Sequence, residues 1–445
     1  MLKSPIFSWE WRYKMRDYND KKIIIATTIG SAFELFDFLS FVFLSPIIAK
    51  LFFPPQIHNL AIIFTYLTIT MSYLLRPIGG LVLAHLGDRY GRIFTFTTSI
   101  LLMSIPSFTI GILPTFSSIG YAATFLLIFA RILQGLSLGG EVPASITYIA
   151  EEFKTKNYYF YCAWLTFGAN IGVAIGSQAV DLLSQFTSTQ FMYSIGWRIP
   201  FLIGSLLTII GFYIRRTISE SNEFKQLQRS KNLSTAPLIT ILKQYRPQII
   251  CGILLSVIVS LTTSIFHIFL PSLLTNYSRF SLNTTTNIST IGAVTMALFS
   301  LLFAYCVKYI PPINILRIGL MSLIITLGLI LAKVLTLGDV LHQNIAGLYI
   351  IVILISIALS GVNGVLFGLL AGLFPTQVRL SGVSFCFNIA YIFGAGITPI
   401  WTSSVIQLTG SYNIIIVICL GVTLISLINT IFVKKLVTNT LIPMK

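Results

Sequence analysis

The chain has 445 residues, of which 55% are hydrophobic and 9% charged, with a mean hydropathy of +0.88. Soluble domains carry about 25% charged residues, so this composition excludes a soluble domain and marks a polytopic membrane protein. The net charge of +16 would suggest a nucleic-acid partner only on a soluble surface, and the placement of the basic residues excludes that.

The first 22 residues, MLKSPIFSWEWRYKMRDYNDKK, are polar and of mixed charge, with no short apolar core followed by small residues, so no cleavable signal peptide is expected. Beyond them, apolar runs long enough to cross a hydrocarbon core of about 30 Å occur at 23–51, 59–84, 94–114, 119–149, 158–183, 196–214, 248–276, 286–307, 313–333, 345–371, 382–408 and 411–433. The longest internal polar stretch, 215–247, divides these twelve runs into six and six. The expected fold is an all-α polytopic membrane protein with twelve transmembrane helices in two six-helix bundles. Its parts are a cytoplasmic segment 1–22, a first bundle 23–214, a cytoplasmic linker 215–247, a second bundle 248–433 and a cytoplasmic tail 434–445. Parallel halves of this kind hold a substrate near the bilayer midplane and alternate its access by rocking.

With the N-terminus inside, about 22 of the 29 basic residues fall on inside segments, while outside segments keep only Lys50, Arg198, Arg279 and Lys333. The positive charge is therefore topology. The five cysteines stand singly within apolar runs and give neither a metal spacing nor a disulfide framework.

Charges within spans carry the functional reading, because each is costly in a membrane. In the first span, GSAFELFDF holds Glu34 and Asp37, which share a helix face at i and i+3. Asp37 lies roughly 21 Å from either end of its span, and Arg131 of the fourth span roughly 18 Å from its outer end. The two share a depth. Either they form a proton switch, in which the carboxylate meets the guanidinium in one state only, or they form a static ion pair. Closer to the cytoplasm, Arg76 and Glu141 lie roughly 12 Å, and Glu34 roughly 16 Å, from their inner ends. Arg76 can clamp a substrate carboxylate, pair with Glu141 as gate or strut, or snorkel to the interface. Glycines spaced by about four in the fourth and fifth spans make smooth packing faces.

The loop AHLGDRYGRI (84–93) has Gly87 and Gly91 for a tight turn, Asp88 to accept hydrogen bonds at a helix N-terminus, and Arg89 and Arg92 on the inner side. RPIGGLVLAHLGDRYGR resembles the loop signature of the major facilitator superfamily. GSAFELFDF with LFFP (51–54), RILQGLSLGGE (131–141), GWRIPFLIG (196–204), RRTISESNEF (215–224) and FPTQVRLSG (374–382) are similar to its metabolite:proton symporter family, whose members carry proline/betaine, 2-oxoglutarate, citrate or shikimate. The resemblance is dense in the first half and thinner in the second. It implies proton-coupled import of a small zwitterion or organic anion, with Asp37 and Arg131 as the coupling groups; Glu34, on the same helix face as Asp37, is counted with them as a candidate and is otherwise read as cavity, gate or structure. It also implies a conformational lock at the loop motif, engaging Asp88, Arg89, Arg92, Glu151 and Arg379. The chain departs from the family pattern at Ala84, Ile93, Phe36, Phe41, Val42 and Gly372.

In the second half His267 is the clearest ionisable group, read as hydrogen-bonded structure or as a proton carrier. Asn170, Asn363, Asn388, Tyr391 and Trp401 are polar or amphipathic side chains able to face a central cavity or to bond between helices. There is no GxxxxGK[ST], and the four histidines are far apart, so no nucleotide site, metal or enzymatic constellation is expected. The proton gradient is the expected energy source, with no cofactor. The expected partners are a small-molecule substrate, the proton and the lipid bilayer, with no nucleic acid, and the chain is expected to work as a monomer in a bacterial cytoplasmic membrane. Export of a drug or siderophore-like metabolite, and a sensor derived from a transporter, are the competing readings.

Overall fold

The computed structural model describes residues 5–54, 56, 58–153, 158–230, 236–270, 274, 281–332 and 345–440. Among them all regular secondary structure is helical. Twelve helices are long and apolar enough to cross a membrane. They are α1 (Pro5–Phe52), α2 (His58–Tyr90), α3 (Arg92–Ile112), α4 (Tyr121–Glu152), α5 (Tyr158–Phe186), α6 (Ile199–Arg215), α7 (Arg246–Phe269), α8 (Leu282–Tyr305), α9 (Pro312–Leu331), α10 (Ile345–Gly372), α11 (Arg379–Thr409) and α12 (Asn413–Thr440).

Three boundaries differ from the sequence reading. From Pro5 on, the polar segment before residue 23 is continuous with the first span in one 48-residue helix; residues 1–4 lie outside the described set. Arg215, placed in the linker by its charge, is fully buried in the last turn of α6. The linker itself carries two short helices, Asn222–Arg229 and Pro237–Gln244, and α12 continues through Lys434 and Lys435 to Thr440.

In the first half α1 packs on α5 and α6, α2 on α4, and α3 on α4 and α6; in the second, α8 and α9 pack on α10, and α12 on α7 and α9. The halves meet along α5 against α8 and α10, and along α2 against α11. Small residues set these spacings. A Cβ on Gly135 or Gly139 of α4 would lie 2.3 Å and 2.0 Å from the carbonyl oxygens of Ser72 and Arg76 in α2. One on Gly168 or Gly172 of α5 would lie 2.1 Å from the carbonyls of Thr28 and Ala32 in α1. Such close approach is the usual basis of helix association where lipid removes the hydrophobic drive.

Two helices that line the seam contain a wider turn at similar depth. α7 has a π-helical turn at Ser264–Phe269 and α11 one at Ile392–Gly396. Single π turns are frequent at functional sites. The Ser260 hydroxyl donates to the Ala390 carbonyl at 3.1 Å, and the Thr70 hydroxyl of α2 donates across the seam to the Gly396 carbonyl at 3.0 Å.

Candidate functional site

Buried charge in the first half falls into three layers. At mid-depth, Asp37 and Arg131 share a level, and both are almost wholly buried. They do not form the direct pair that their depths suggested. Gln134 stands between them: its Nε2 donates to Asp37 Oδ2 at 2.7 Å and to Ser107 Oγ at 2.9 Å, and its Oε1 accepts from Arg131 Nη1 at 2.6 Å. Arg131 also lies over the rings of Phe41 and Phe38, at 4.0 and 5.2 Å. A guanidinium in a dry site is stabilised by such faces. Gln134 was legible as a neighbour of Arg131, three residues on along the same helix face in RILQG, but not as a bridge.

One level toward the basic end, Arg76 of α2 faces Glu34 of α1 with 3.8 Å between Nη2 and Oε1. Its guanidinium is ringed by Tyr391 at 5.0 Å, Tyr73 at 5.4 Å and Phe387 at 5.8 Å. Tyr73 stacks on Tyr391 across the seam, with Phe38 edge-on to Tyr73. Among the described residues Glu34 Oε2 and Arg76 Nε have no hydrogen-bond partner although both groups are buried. Leaving such atoms unpaired is costly, so this layer can bind a ligand that supplies both an acceptor and a cation.

Glu141 does not meet Arg76. It accepts from Arg215 Nη2 at 2.6 Å, while Arg215 Nη1 donates to the Phe96 carbonyl at 3.0 Å and the guanidinium lies 3.8 Å from the Phe96 ring centre. The sequence reading missed this partner because it assigned Arg215 to solvent.

The third layer is the loop motif. α2 runs through it to Tyr90, and the chain turns at Gly91 with φ of +121°. Arg92 binds Glu151 through Nε and Nη2 at 3.1 and 2.9 Å, Asp88 at 3.1 Å, and the Thr376 carbonyl of the second half at 2.7 Å. Asp88 accepts at a helix N-terminus as its type predicts, but the helix is α11: Ser381 donates to it from N at 3.1 Å and from Oγ at 2.6 Å. The N-terminus of α3 is served instead by Glu220, whose Oε2 accepts from Ile93 N at 3.1 Å. Arg379 pairs with Glu223 at 3.0 Å and approaches Glu151 at 3.7 Å. Ser221 donates to Glu151 at 2.6 Å, so the ESNEF stretch after α6 is part of this network. Gly87 is needed for closeness, since its Cβ would fall 2.3 Å from Thr95 Oγ1. Arg89 is the exception: it is exposed, lies over Tyr90, and makes no described contact with the network.

Other candidates divide. Asn388 donates across the seam to the Gly139 carbonyl at 2.8 Å, beside the Arg76 layer. Asn170 donates to the carbonyl of Thr166 in its own helix, Asn363 contacts Met296 Sδ at 3.5 Å, and Trp401 is a half-buried packing residue; none of these described contacts reaches the charged layers. His267, in the α7 π turn, shares a hydrogen bond of 2.9 Å with Ser356. Arg317 of α9 bonds Thr430 at 2.9 Å and adds a charge that the sequence reading did not count. Among the described residues no cluster of His, Cys, Asp or Glu is arranged to hold a metal ion.

Residues 27–379 match the family profile of the Major Facilitator Superfamily. The chain is 32% identical over 392 residues to a putative proline/betaine transporter of Staphylococcus haemolyticus, covering 88% of this chain and 82% of that one. It is 30% identical to the proline/betaine transporter of Salmonella typhimurium, covering 85% and 76%. It is also 30% identical to the inner membrane metabolite transport protein YhjE of Escherichia coli, covering 92% and 93%. Among solved structures it is similar in fold to the proton:xylose symporter XylE bound to 6-bromo-6-deoxy-D-glucose, with a TM-score of 0.76 at 14% identity over 93% of this chain and 95% of that one. A twelve-helix membrane protein with these relatives, this loop motif and this helix order belongs to the major facilitator superfamily.

Proposed function

We propose that the chain is a proton-coupled importer of a small carboxylate-bearing metabolite, zwitterion or organic anion, working by alternating access. The observation that carries this is the stacking of two buried charged layers: Asp37 with Gln134 and Arg131 inside the first half, and one level inward Arg76 with Glu34 beside the seam. Asp37 is the proton carrier, and Arg131 the cation whose approach or withdrawal releases or retains the proton. Arg76 is the carboxylate clamp, with Glu34 and the rings of Tyr73, Phe387 and Tyr391 beside it to receive a cationic nitrogen. The names of the relatives, proline/betaine transporters and a metabolite transport protein, support a ligand of this size and charge.

The loop network is the inner gate. It ties α2 and α3 to the start of α11 at the end where basic residues accumulate, which is the cytoplasmic end of a bacterial inner-membrane protein with both termini inside. The transporter works as a monomer, draws on the proton gradient with no further cofactor, and performs no covalent chemistry.

The test is uptake by proteoliposomes of proline, betaine, 2-oxoglutarate, citrate and shikimate, with and without an inward proton gradient, beside Asp37→Asn. Accumulation of at least one compound that requires the gradient and disappears in the variant is the expected result. Gradient-driven accumulation that survives in Asp37→Asn would remove Asp37 from the coupling role, and efflux in place of uptake would reverse the direction.

A further inference from the structure

The Gln134 amide is held in one orientation. Arg131 Nη1 has only hydrogens to give, so the atom that meets it at 2.6 Å is the amide oxygen, and the amide nitrogen faces Asp37 and Ser107. Both hydrogens of Nε2 and the carbonyl are thereby used, in a side chain only 1% exposed. Its partners keep spare capacity: among the described residues Asp37 Oδ1, Arg131 Nε and Arg131 Nη2 have no hydrogen-bond partner. A neutral dipole therefore lies between anion and cation, donor end toward the one and acceptor end toward the other.

That orientation suits an ionised Asp37, and a neutral one only while its proton sits on Oδ1, away from the oxygen that Gln134 holds. A proton on Oδ2 makes that oxygen a donor facing the donor Nε2, and turning the amide over brings the Gln134 oxygen to accept from it. The turned amide presents Nε2 to Arg131, donor against donor, and the guanidinium loses its bond. We propose that Gln134 is a positioning residue that transmits the protonation state of Asp37 to Arg131 by this reversal. The inference rests on the reading of Asp37 as the proton carrier. One proton enters on an Asp37 oxygen; the hydrogens of Gln134 stay on its nitrogen, and no bond other than O–H forms or breaks.

The groups facing the pair are few. Arg131 faces it from α4, Tyr73 interacts with Arg131 from α2, and Glu34 lies one turn back on α1. α3 presents Ser107, and α6 presents Gly204, whose Cβ would lie 3.0 Å from Asp37 Oδ1; α5 meets α1 at Gly172 and Gly176. Substitution of the uncharged Gln134 thus leaves the charge set intact.

Infrared difference spectroscopy of the full chain in lipid, titrated with acid, reads the transfer without any substrate. The Asp37 carboxyl band is identified by its loss in Asp37→Asn, and the Arg131 guanidinium band by its loss in Arg131→Lys with labelled arginine. The two bands are expected to change together in the parent. In Gln134→Leu the Asp37 band is expected to titrate while the guanidinium band stays fixed. Gln134→Asn, one methylene shorter and unable to span both partners, is expected to do the same and serves if the Leu variant does not fold. A guanidinium response that persists undiminished in either variant overturns the relay while leaving Asp37 as carrier. An Asp37 band that fails to titrate in the parent removes the carrier reading, and the relay with it.

Discussion

Arg215 reaches Glu141 at 2.6 Å through a slot that Gly30 leaves open: a Cβ at residue 30 would lie 1.5 Å from Arg215 Nη2. Both side chains are almost wholly buried, and a buried charge stripped of its partner costs about 3–5 kcal/mol, whereas replacing the pair by apolar groups is often neutral. Glu141→Leu and Arg215→Leu should each lower stability by about that amount, and the double variant should recover most of it. A double-variant loss equal to the sum of the two single losses, measured by unfolding in detergent, would mean that the pair is not energetically coupled. Gly30→Leu should behave like Arg215→Leu, since it evicts the guanidinium.

The network at the loop motif predicts a division among its residues. Ser381→Ala removes one of two hydrogen bonds to Asp88, and Glu223→Gln weakens the pair with Arg379; both should raise the share of molecules open at the basic end. Arg89→Ala should leave that share unchanged, because Arg89 is outside the network. Alkylation rates of a reporter cysteine introduced at the α11 start provide the measurement, and an Arg89→Ala effect as large as that of Ser381→Ala would contradict the assignment.

The rings around Arg76 predict a signature in transport kinetics. Replacing Tyr391 by Leu removes the nearest of three aromatic faces, at 5.0 Å. A cation–π contact of that kind corresponds to an affinity change of about 2- to 30-fold. Tyr391→Leu should raise KM by about that factor with a smaller change in kcat, for whichever compound is transported. A pure loss of kcat would instead make the ring part of the gate.

Glu220 supplies a pH dependence outside the membrane. Burial pushes its carboxyl above the ordinary 4.5, more than its bonds from Ser221 and Ile93 lower it. A group raised in the folded state holds its proton longer there than in the unfolded chain, so its contribution is complete below pH 4.5 and is lost as pH rises through the raised value. The parent should therefore lose stability relative to Glu220→Gln as pH rises through that window. A constant difference between the two across the titration would remove Glu220 as the cause.

The twelve spans and the polar network at the loop motif were legible because hydropathy length and one loop motif are each short-range signals. Asp37 and Arg131 were legible as neighbours because both are charges at one depth, yet depth is a single coordinate. It gives the level of a side chain but not its azimuth, and azimuth decides whether Glu141 meets Arg76 or Arg215. The bridge was hidden for a further reason: Gln134 carries no charge, so an inventory of membrane charges passes over it. The misplacement of Arg215 followed from reading every arginine beyond an apolar run as solvated, whereas Gly30, on a helix far away in sequence, had made room for it.

The π turns of α7 and α11 have a consequence for how this transporter opens. Each places an extra residue in the helix and weakens the regular register of carbonyls there, so the outer part of α11, Thr398–Thr409, can swing about Gly396 while the inner part, Arg379–Tyr391, stays anchored to Asp88. The Thr70 hydroxyl and the Tyr73 side chain of α2 hold that joint to the first half. A bend at that joint would move the outer tip of α11 without breaking the contacts of its inner part.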